Sequence, residues 1–495
     1  MPSALFRTKS LDAILADGAA PQHQLKRTLD AFDVVMLGIG AIIGAGIFAT
    51  VGTAAAGDAA RPGAGPALIL SFALTAVACG FAALCYAEFA AMVPISGSAY
   101  TYSYATLGEL VAWIIGWDLI IEYAVGNVAV AISWGNYFKT FVSGFGVHIP
   151  DWLSTDYRTA ARIPGLFENA PHLFGVPIVV NVLAIGIVAL ITIVLVIGIR
   201  ESATMNTGMV VIKLLVLGLF VAVGWGYTRA ENWTPFAPNG WAGVQAGAAI
   251  VFFAYIGFDA VSTVAEEVKN PKRDLPIGII GSLIVCTLIY VVVAIVFTGI
   301  IPYDVLVQKL ATEQAEPLTM ALQYASIERW GDLLVGIVAL GSVVAHTAVL
   351  LVFQLGQPRI FFSMARDGLL PQSFARVHPR FRTPHVTTIL TGVVVGVCAM
   401  FTSIDEMVDL TNIGTLFAFI LVCLGILILR KRDPDRPRAF RTPWVPFIPV
   451  AGMLSCFYLM LGLPWITWIR FGLWLALGLV VYFAYGFRRS GLASR

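Results

Sequence analysis

Charge is scarce in this chain. Asp, Glu, Lys and Arg make up 12% of its 495 residues and the formal net charge is +2, so there is no basic excess to suggest a nucleic-acid partner, and the polarity is too low for a globular enzyme. Cysteine is scarce too. Cys79, Cys85, Cys286, Cys398, Cys423 and Cys456 all fall within apolar runs, none in a C-x-x-C pair, so neither a disulfide frame nor a zinc site is expected and they read as small packing residues. No phosphate-binding G-x-x-x-x-G-K motif occurs, which removes support for ATP-driven pumping. A clustered nucleophile, base or metal set, as an enzyme would need, cannot be assembled, and no repeated pore loop or charged ring points to a channel. The first apolar run starts near Val34 without a short h-region and small-residue cleavage site, so it reads as a retained span rather than a signal peptide.

What the chain does have is apolar length. Hydrophobic residues make up 58% and mean hydropathy is +0.84, values of a polytopic membrane protein. Runs of about 20 apolar residues, enough to cross a bilayer, occur at approximately 31–56, 66–93, 105–142, 177–198, 203–226, 241–265, 276–301, 332–358, 384–403, 407–429, 442–463 and 466–487. The fold class expected is therefore all-α and polytopic, with twelve spans. With the N-terminus inside, 22 of the 31 lysines and arginines fall on the inner side, concentrated in the 359–383 and 430–441 loops. This bias predicts a multi-pass protein of the cytoplasmic (inner) membrane with both termini in the cytoplasm. Residues 1–30, with Leu11, Ile14 and Leu15 ahead of Lys26-Arg27, predict an amphipathic leader at the inner surface.

Glycine is concentrated where a helix should be. The run Gly38-Ile-Gly-Ala-Ile-Ile-Gly-Ala-Gly46 in the first span holds four glycines, each costing a helix interior about 1 kcal/mol relative to alanine. Gly40 and Gly44 also form a G-x-x-x-G, the close-packing device of membrane helices. A dinucleotide fingerprint fails, because Ile43 stands where the third glycine should be. If the helix breaks near Ile43 to Ala45, with Gly44 at its centre, one half ends in free carbonyls and the next begins with free N–H groups. One point then offers partners for both an ammonium and a carboxylate, the two charges of an amino acid.

A matching interruption decides between packing and binding. The sixth span reads Phe252-Phe-Ala-Tyr-Ile-Gly-Phe-Asp259, with Gly257 and Asp259 breaking an apolar run near its middle. Discontinuous helices at corresponding positions are the mark of inverted-repeat transporters. Spans 1 and 6 are five apart, which predicts a five-plus-five inverted repeat: residues 31–226 as the first repeat, 241–429 as the second, and 430–495 holding spans 11 and 12. Asp259 is expected to cap the outgoing half-helix.

Leu37-Gly-Ile-Gly-Ala-Ile-Ile-Gly-Ala-Gly-Ile-Phe48, Gly116-Trp-Asp-Leu-Ile-Ile-Glu122, Phe252 to Asp259, Glu266-Glu-Val-Lys-Asn-Pro-Lys-Arg-Asp-Leu-Pro276 and Gln357-Pro-Arg-Ile-Phe-Phe-Ser-Met-Ala-Arg-Asp-Gly-Leu-Leu-Pro371 together resemble the cationic amino acid transporter family of the amino acid/polyamine/organocation superfamily. The likeness spans residues 26 to about 430, and it is to the twelve-span bacterial members. It implies that a substrate ammonium meets carbonyls of Ile42, Phe253, Ala254 and Ile256, and a carboxylate the N–H groups of Ala45 and Gly46. Many relatives carry a hydroxyl residue where Ala45 stands, which leaves carboxylate binding here to the backbone. The resemblance also places Glu122 beside the substrate site, and Phe353 at a pocket position that is small in arginine carriers, so small to medium neutral side chains are expected to be favoured.

Ionisable residues inside spans are functional candidates by default. Lys213 lies about ten residues, roughly 15 Å, inside the fifth span, too deep to snorkel comfortably. In the resembling family this position stands where sodium-driven relatives bind sodium; its ammonium would brace spans 1, 5 and 8, and a desolvated lysine gives up its proton more readily. Lys213 is thus the expected proton-coupling residue, with Glu122 as a second. Asp118 and Glu122 share a face of the third span, with carboxylates bonded to neighbouring helices as the plainer account. His346 and Gln354 read as packed polar residues. The expected function is proton-coupled import of L-amino acids by alternating access, with the proton as coupling ion and no other cofactor. An exchanger, a cationic amino acid uniporter or a membrane amino acid sensor are the alternatives, and a small membrane subunit is left open.

Overall fold

A computed structural model describes residues 5–9, 27–94, 98–198, 203–312, 316–327 and 331–491. The leader helix expected from Leu11, Ile14 and Leu15 lies outside the described residues. The first membrane helix starts at a capping box in which Asp30 accepts from the amides of Phe32 and Asp33 while Asp33 accepts from the Asp30 amide. That exchange satisfies donors a helix start would leave bare and sets α1 at Ala31–Ile42. The chain then breaks: Ile43 is extended at ψ 104°, Gly46–Thr50 winds as a π turn, and α2 resumes over Val51–Ala56.

The elements that follow are α3 (Leu68–Met92), α4 (Glu109–Ile120), α5 (Gly126–Ser143), α6 (Val182–Ile197), α7 (Ala203–Trp225), α8 (Gly240–Val251), α9 (Pro271–Ile300), α10 (Pro317–Tyr324), α11 (Gly331–Arg366), α12 (His385–Phe401), α13 (Ile404–Arg432), α14 (Phe447–Met460) and α15 (Trp465–Val481). Among the described residues, nine helical stretches are long and apolar enough to cross a membrane, and Val182–Ile197, His385–Phe401 and Phe447–Met460 are apolar but shorter; each overlaps an apolar run read from the sequence. Bounds shift by a few residues elsewhere and most at the end of α11. α11 runs through Pro358 to Arg366, where the sequence expectation ended it at 358, because Gln357, Pro358 and Met364 stay buried and packing holds the helix past its proline.

Two antiparallel hairpins, Gly57–Asp58 with Arg61–Pro62 and His172–Leu173 with Val176–Pro177, are the strands described. α1 packs on α9, α9 on α3, and α5 on α11, so the broken first helix lies at the centre. N- and C-terminal segments meet on one face: Arg7 and Lys9 pair with backbone of Glu109 and Tyr104, and Ser490 hydrogen-bonds Glu109. This is called the terminal face below, and its opposite the far face.

Candidate functional site

Two interrupted helices touch at their breaks. A Cβ on Gly46 would come 2.1 Å from the Ala254 Cα, and one on Gly257, at φ +123°, 2.8 Å from the Ala41 backbone, so only glycine allows the two main chains to approach this closely. On the second helix α8 gives way to a 3-10 turn at Phe252–Tyr255, Ile256 is extended, and a 3-10 stretch runs over Asp259–Glu267. Both interruptions stand where the glycine patterns put them. Capping by Asp259 needs correction: its Oδ1 accepts from the Gly257 amide at 3.3 Å, and the outgoing 3-10 segment has no side-chain cap. The left-handed Gly257 turns its own N–H within reach of the carboxylate, so Asp259 braces the break rather than the helix after it.

The carbonyls released at the breaks have partners. Lys213, fully buried in α7, donates from Nζ to the carbonyls of Gly40 at 2.8 Å and Ile43 at 2.9 Å. An ammonium in this position supplies donors the broken ladder lacks. The Tyr290 hydroxyl of α9 lies between the carbonyls of Ile42 at 3.1 Å and Ala254 at 2.9 Å, so one side chain spans both breaks. Sequence reasoning missed Tyr290; its signal was a lone phenol in the apolar run Leu288-Ile-Tyr-Val-Val292, where a buried hydroxyl has to find an acceptor. Phe253, Ala254, Ile256, Ala45 and Gly46 are all buried around this point.

α11 closes the site from the side. A Cβ on Gly44 would come 2.5 Å from Val349 Cγ2, and one on Gly126 would come 3.0 Å from the Phe353 ring, so Phe353 fills the space that the missing side chain of Gly126 leaves. Its ring meets Tyr123 edge-on at 5.7 Å. Two turns from Phe353 toward the far side, His346 is a packed polar residue. Its Nδ1 lies 2.6 Å from the Ser342 carbonyl, which requires N–H there, so Nε2 accepts from the Ser133 hydroxyl at 2.7 Å. Phe48 and Tyr137 flank its ring. Gln354 is bonded to Asn127 and to Thr192.

Toward the terminal face the surroundings turn polar. Glu122 occupies a π bulge at Ile121–Val125, a distortion frequent at functional sites, and its carboxyl lies within interaction range of Asp259 and Thr415. Tyr86 Oη, both Asp118 oxygens, Glu122 Oε2, Tyr123 Oη, Asp259 Oδ2, Gln357 and Thr415 Oγ1 are buried with no hydrogen bond inside the protein. Glu122, Asp259, Asp118, Thr415, Tyr86 and Tyr123 lie close enough to act on one another, so they form one buried polar cluster whose bonds the protein itself leaves incomplete. Asp118 lies against Gly414 of α13, where a Cβ would come 2.8 Å from its Oδ1. Lys213 and Glu122 thus stand at two different places, the lysine on the α1 carbonyls and the glutamate in the polar cluster with Asp259 and Thr415.

The sequence has counterparts among known proteins. The branched-chain amino acid permease BcaP of Bacillus subtilis (strain 168) is 47% identical over 492 residues, covering 99% of this chain and all of that protein. The methylthioribose transporter of the same organism is 44% identical, with 99% of each chain covered, and the vacuolar cationic amino acid transporter 4 of Arabidopsis thaliana is 37% identical over 88% of this chain and 68% of its own length. These relatives are transporters by name. The profile of the amino acid permease family matches residues 29–483, nearly the whole apolar body, and the chain therefore belongs to that family within the amino acid/polyamine/organocation superfamily.

Proposed function

We propose that the protein is a proton-coupled importer of L-amino acids with small to medium neutral side chains, branched-chain ones among them, working by alternating access. The observation that carries this is the meeting of two broken helices with Lys213 bound to the carbonyls of one of them. Substrate would sit between the breaks, its ammonium toward the carbonyls of Ile42, Phe253, Ala254 and Ile256 and its carboxylate toward the amides of Ala45 and Gly46. Phe353 would shorten the side-chain pocket, and the polar cluster around Glu122 would line the exit. Loss of the Lys213 proton would release the α1 carbonyls and free the first half-helix to move. The inner membrane, cytoplasmic termini, twelve spans and the five-plus-five repeat belong to the same proposal, supported by the lysine and arginine bias and by the paired breaks.

Proteoliposome counterflow with twenty amino acids at two pH values tests it. Leucine, valine, isoleucine and alanine are expected to exchange and arginine to compete poorly. Lys213→Met should retain binding and lose proton-gradient-driven accumulation; accumulation that persists with its gradient dependence intact would overturn the coupling. The 44% identity to a methylthioribose transporter favours a second cargo, so methylthioribose belongs in the same panel.

A further inference from the structure

α10 lies at the far mouth of the site. Its Leu318, Met320 and Ala321 are buried, and it packs against α9, α11 and the π turn of the first broken helix. A Cβ on Gly52 would come 2.6 Å from the Pro317 ring, so the start of α10 rests directly on α2. The residue before it is Glu316, 8% exposed. Its carboxyl makes no cap bond to α10. It turns instead to α5, where it accepts from the Thr140 hydroxyl at 3.1 Å, while its carbonyl takes the Met320 amide at 2.9 Å and the Thr319 hydroxyl at 3.0 Å. Tyr137, one turn along α5, faces Glu316 and the Leu318 backbone and donates to the Phe48 carbonyl at 2.5 Å. The joint between α10 and α5 is therefore continuous with the broken helix itself.

We propose that Glu316 is a proton-sensitive latch: neutral, it seats α10 on α5 over the broken helices; ionised, it loosens α10 and lets the far mouth open. A carboxylate enclosed this way is costly, and a single hydroxyl does not offset the loss of water. Burial pushes the Glu316 carboxyl up to about 7, against the opposing pull of its own backbone, Thr140 and Lys139. The titratable groups acting on it are Lys139, which is ion-paired with Asp151, and the Tyr137 phenol, behind which lies the His346 ring of α11, 5.6 Å from that of Tyr137. The sign follows from linkage. Released into water the group titrates near its ordinary value of 4.5, so seating is strongest below that pH and weakens by about tenfold per pH unit as pH rises toward about 7, then levels off. The lid's role in transport rests on the proposal above, where acid on the far side would shut the mouth behind incoming cargo; the seating itself does not.

Hydrogen exchange of the amides of residues 318–324 in the full-length protein in nanodiscs, corrected for intrinsic rates, reads the seating without any transport assay. Wild type should lose protection across pH 4.5 to 7, and Glu316→Gln should hold the acid-pH protection throughout. A pH dependence that survives in Glu316→Gln, or a flat wild-type profile, would overturn the latch. Thr140→Val, which removes the donor to the ionised form, should extend the fall above pH 7; if Glu316→Gln does not fold, an unchanged Thr140→Val profile would overturn it. Neither result bears on counterflow, so the latch and the transport proposal stand or fall separately.

Discussion

At the scale of single residues, the site depends on atoms that are missing as much as on those present. Gly46 lets the first break lie against Ala254, and a methyl group there would sit 2.1 Å from the Ala254 Cα, a contact no rotamer relieves because the obstacle is main chain. Gly46→Ala should therefore push the two helices apart. Overpacking of this kind costs about 1–3 kcal/mol, visible as a lower Tm, and the displaced carbonyls should weaken amino acid binding by more than the stability loss implies. Ala45→Gly beside it removes a buried methyl and adds nothing to the interface, so it should cost stability of about 1 kcal/mol yet leave the approach of the two breaks intact. The glycine run was legible because four glycines inside an apolar stretch contradict helix propensity. Lys213 was legible because a buried ammonium contradicts the solvent. Tyr290 was not, since a phenol in an apolar span breaks no rule; its two acceptors come together only in the fold. Asp259 was misassigned because capping arguments assume a following α-helix, and here a 3-10 segment follows a left-handed glycine.

At the scale of elements, each face is tied by ion pairs that join helices distant in sequence. On the far face Arg61, in the hairpin after α2, pairs with Asp58 and with Asp409 of α13, both at 2.7 Å, and Glu406 of α13 holds Arg158 at 3.0 Å and Arg470 at 2.8 Å. On the terminal face Glu88 of α3, with no exposure, receives Arg430 through two bonds of 2.9 Å, the Thr442 amide at 2.8 Å and an ion pair from Arg438 at 3.0 Å. The loop after α13 is thereby fastened to α3. Arg438 is buried as well, so neutralising the glutamate leaves a guanidinium without its counter-charge, and breaking such a pair from one side costs about 3–5 kcal/mol. Glu88→Gln should lower Tm by several degrees, and Arg438→Met in the same chain should recover part of the loss; a double-mutant cycle with no coupling would mean the loop is held by something else. These clasps were not legible in the sequence, because which arginine of a basic loop meets which buried acid depends on helix packing. The helices themselves were, because apolar length leaves few other choices in a bilayer.

At the scale of the whole molecule, the long apolar helices among the described residues enclose a centre that is unusually polar for its burial. Lys213, Asp118, Glu122, Asp259, His346 and Gln354 are all at most 2% exposed. A membrane protein gains little from apolar burial against lipid, so a centre of this kind is poorly compensated within the protein and should be stabilised by whatever completes its hydrogen bonds. Ligand that binds only the folded state adds stability of about 2.7 kcal/mol at a concentration one hundred times its Kd. If Phe353, packed on Gly126 and Tyr123, shortens the side-chain pocket as proposed, leucine or isoleucine at saturating concentration should raise the Tm of the purified wild-type protein, while arginine at the same concentration should not. Phe353→Ser should reverse the ranking by opening the path from the breaks to the carboxyls of Glu122 and Asp259. Equal shifts from leucine and arginine in wild type, or no gain for arginine in Phe353→Ser, would mean that side-chain selection lies elsewhere, and a shift by methylthioribose alone would move the cargo from amino acids to a sugar thioether.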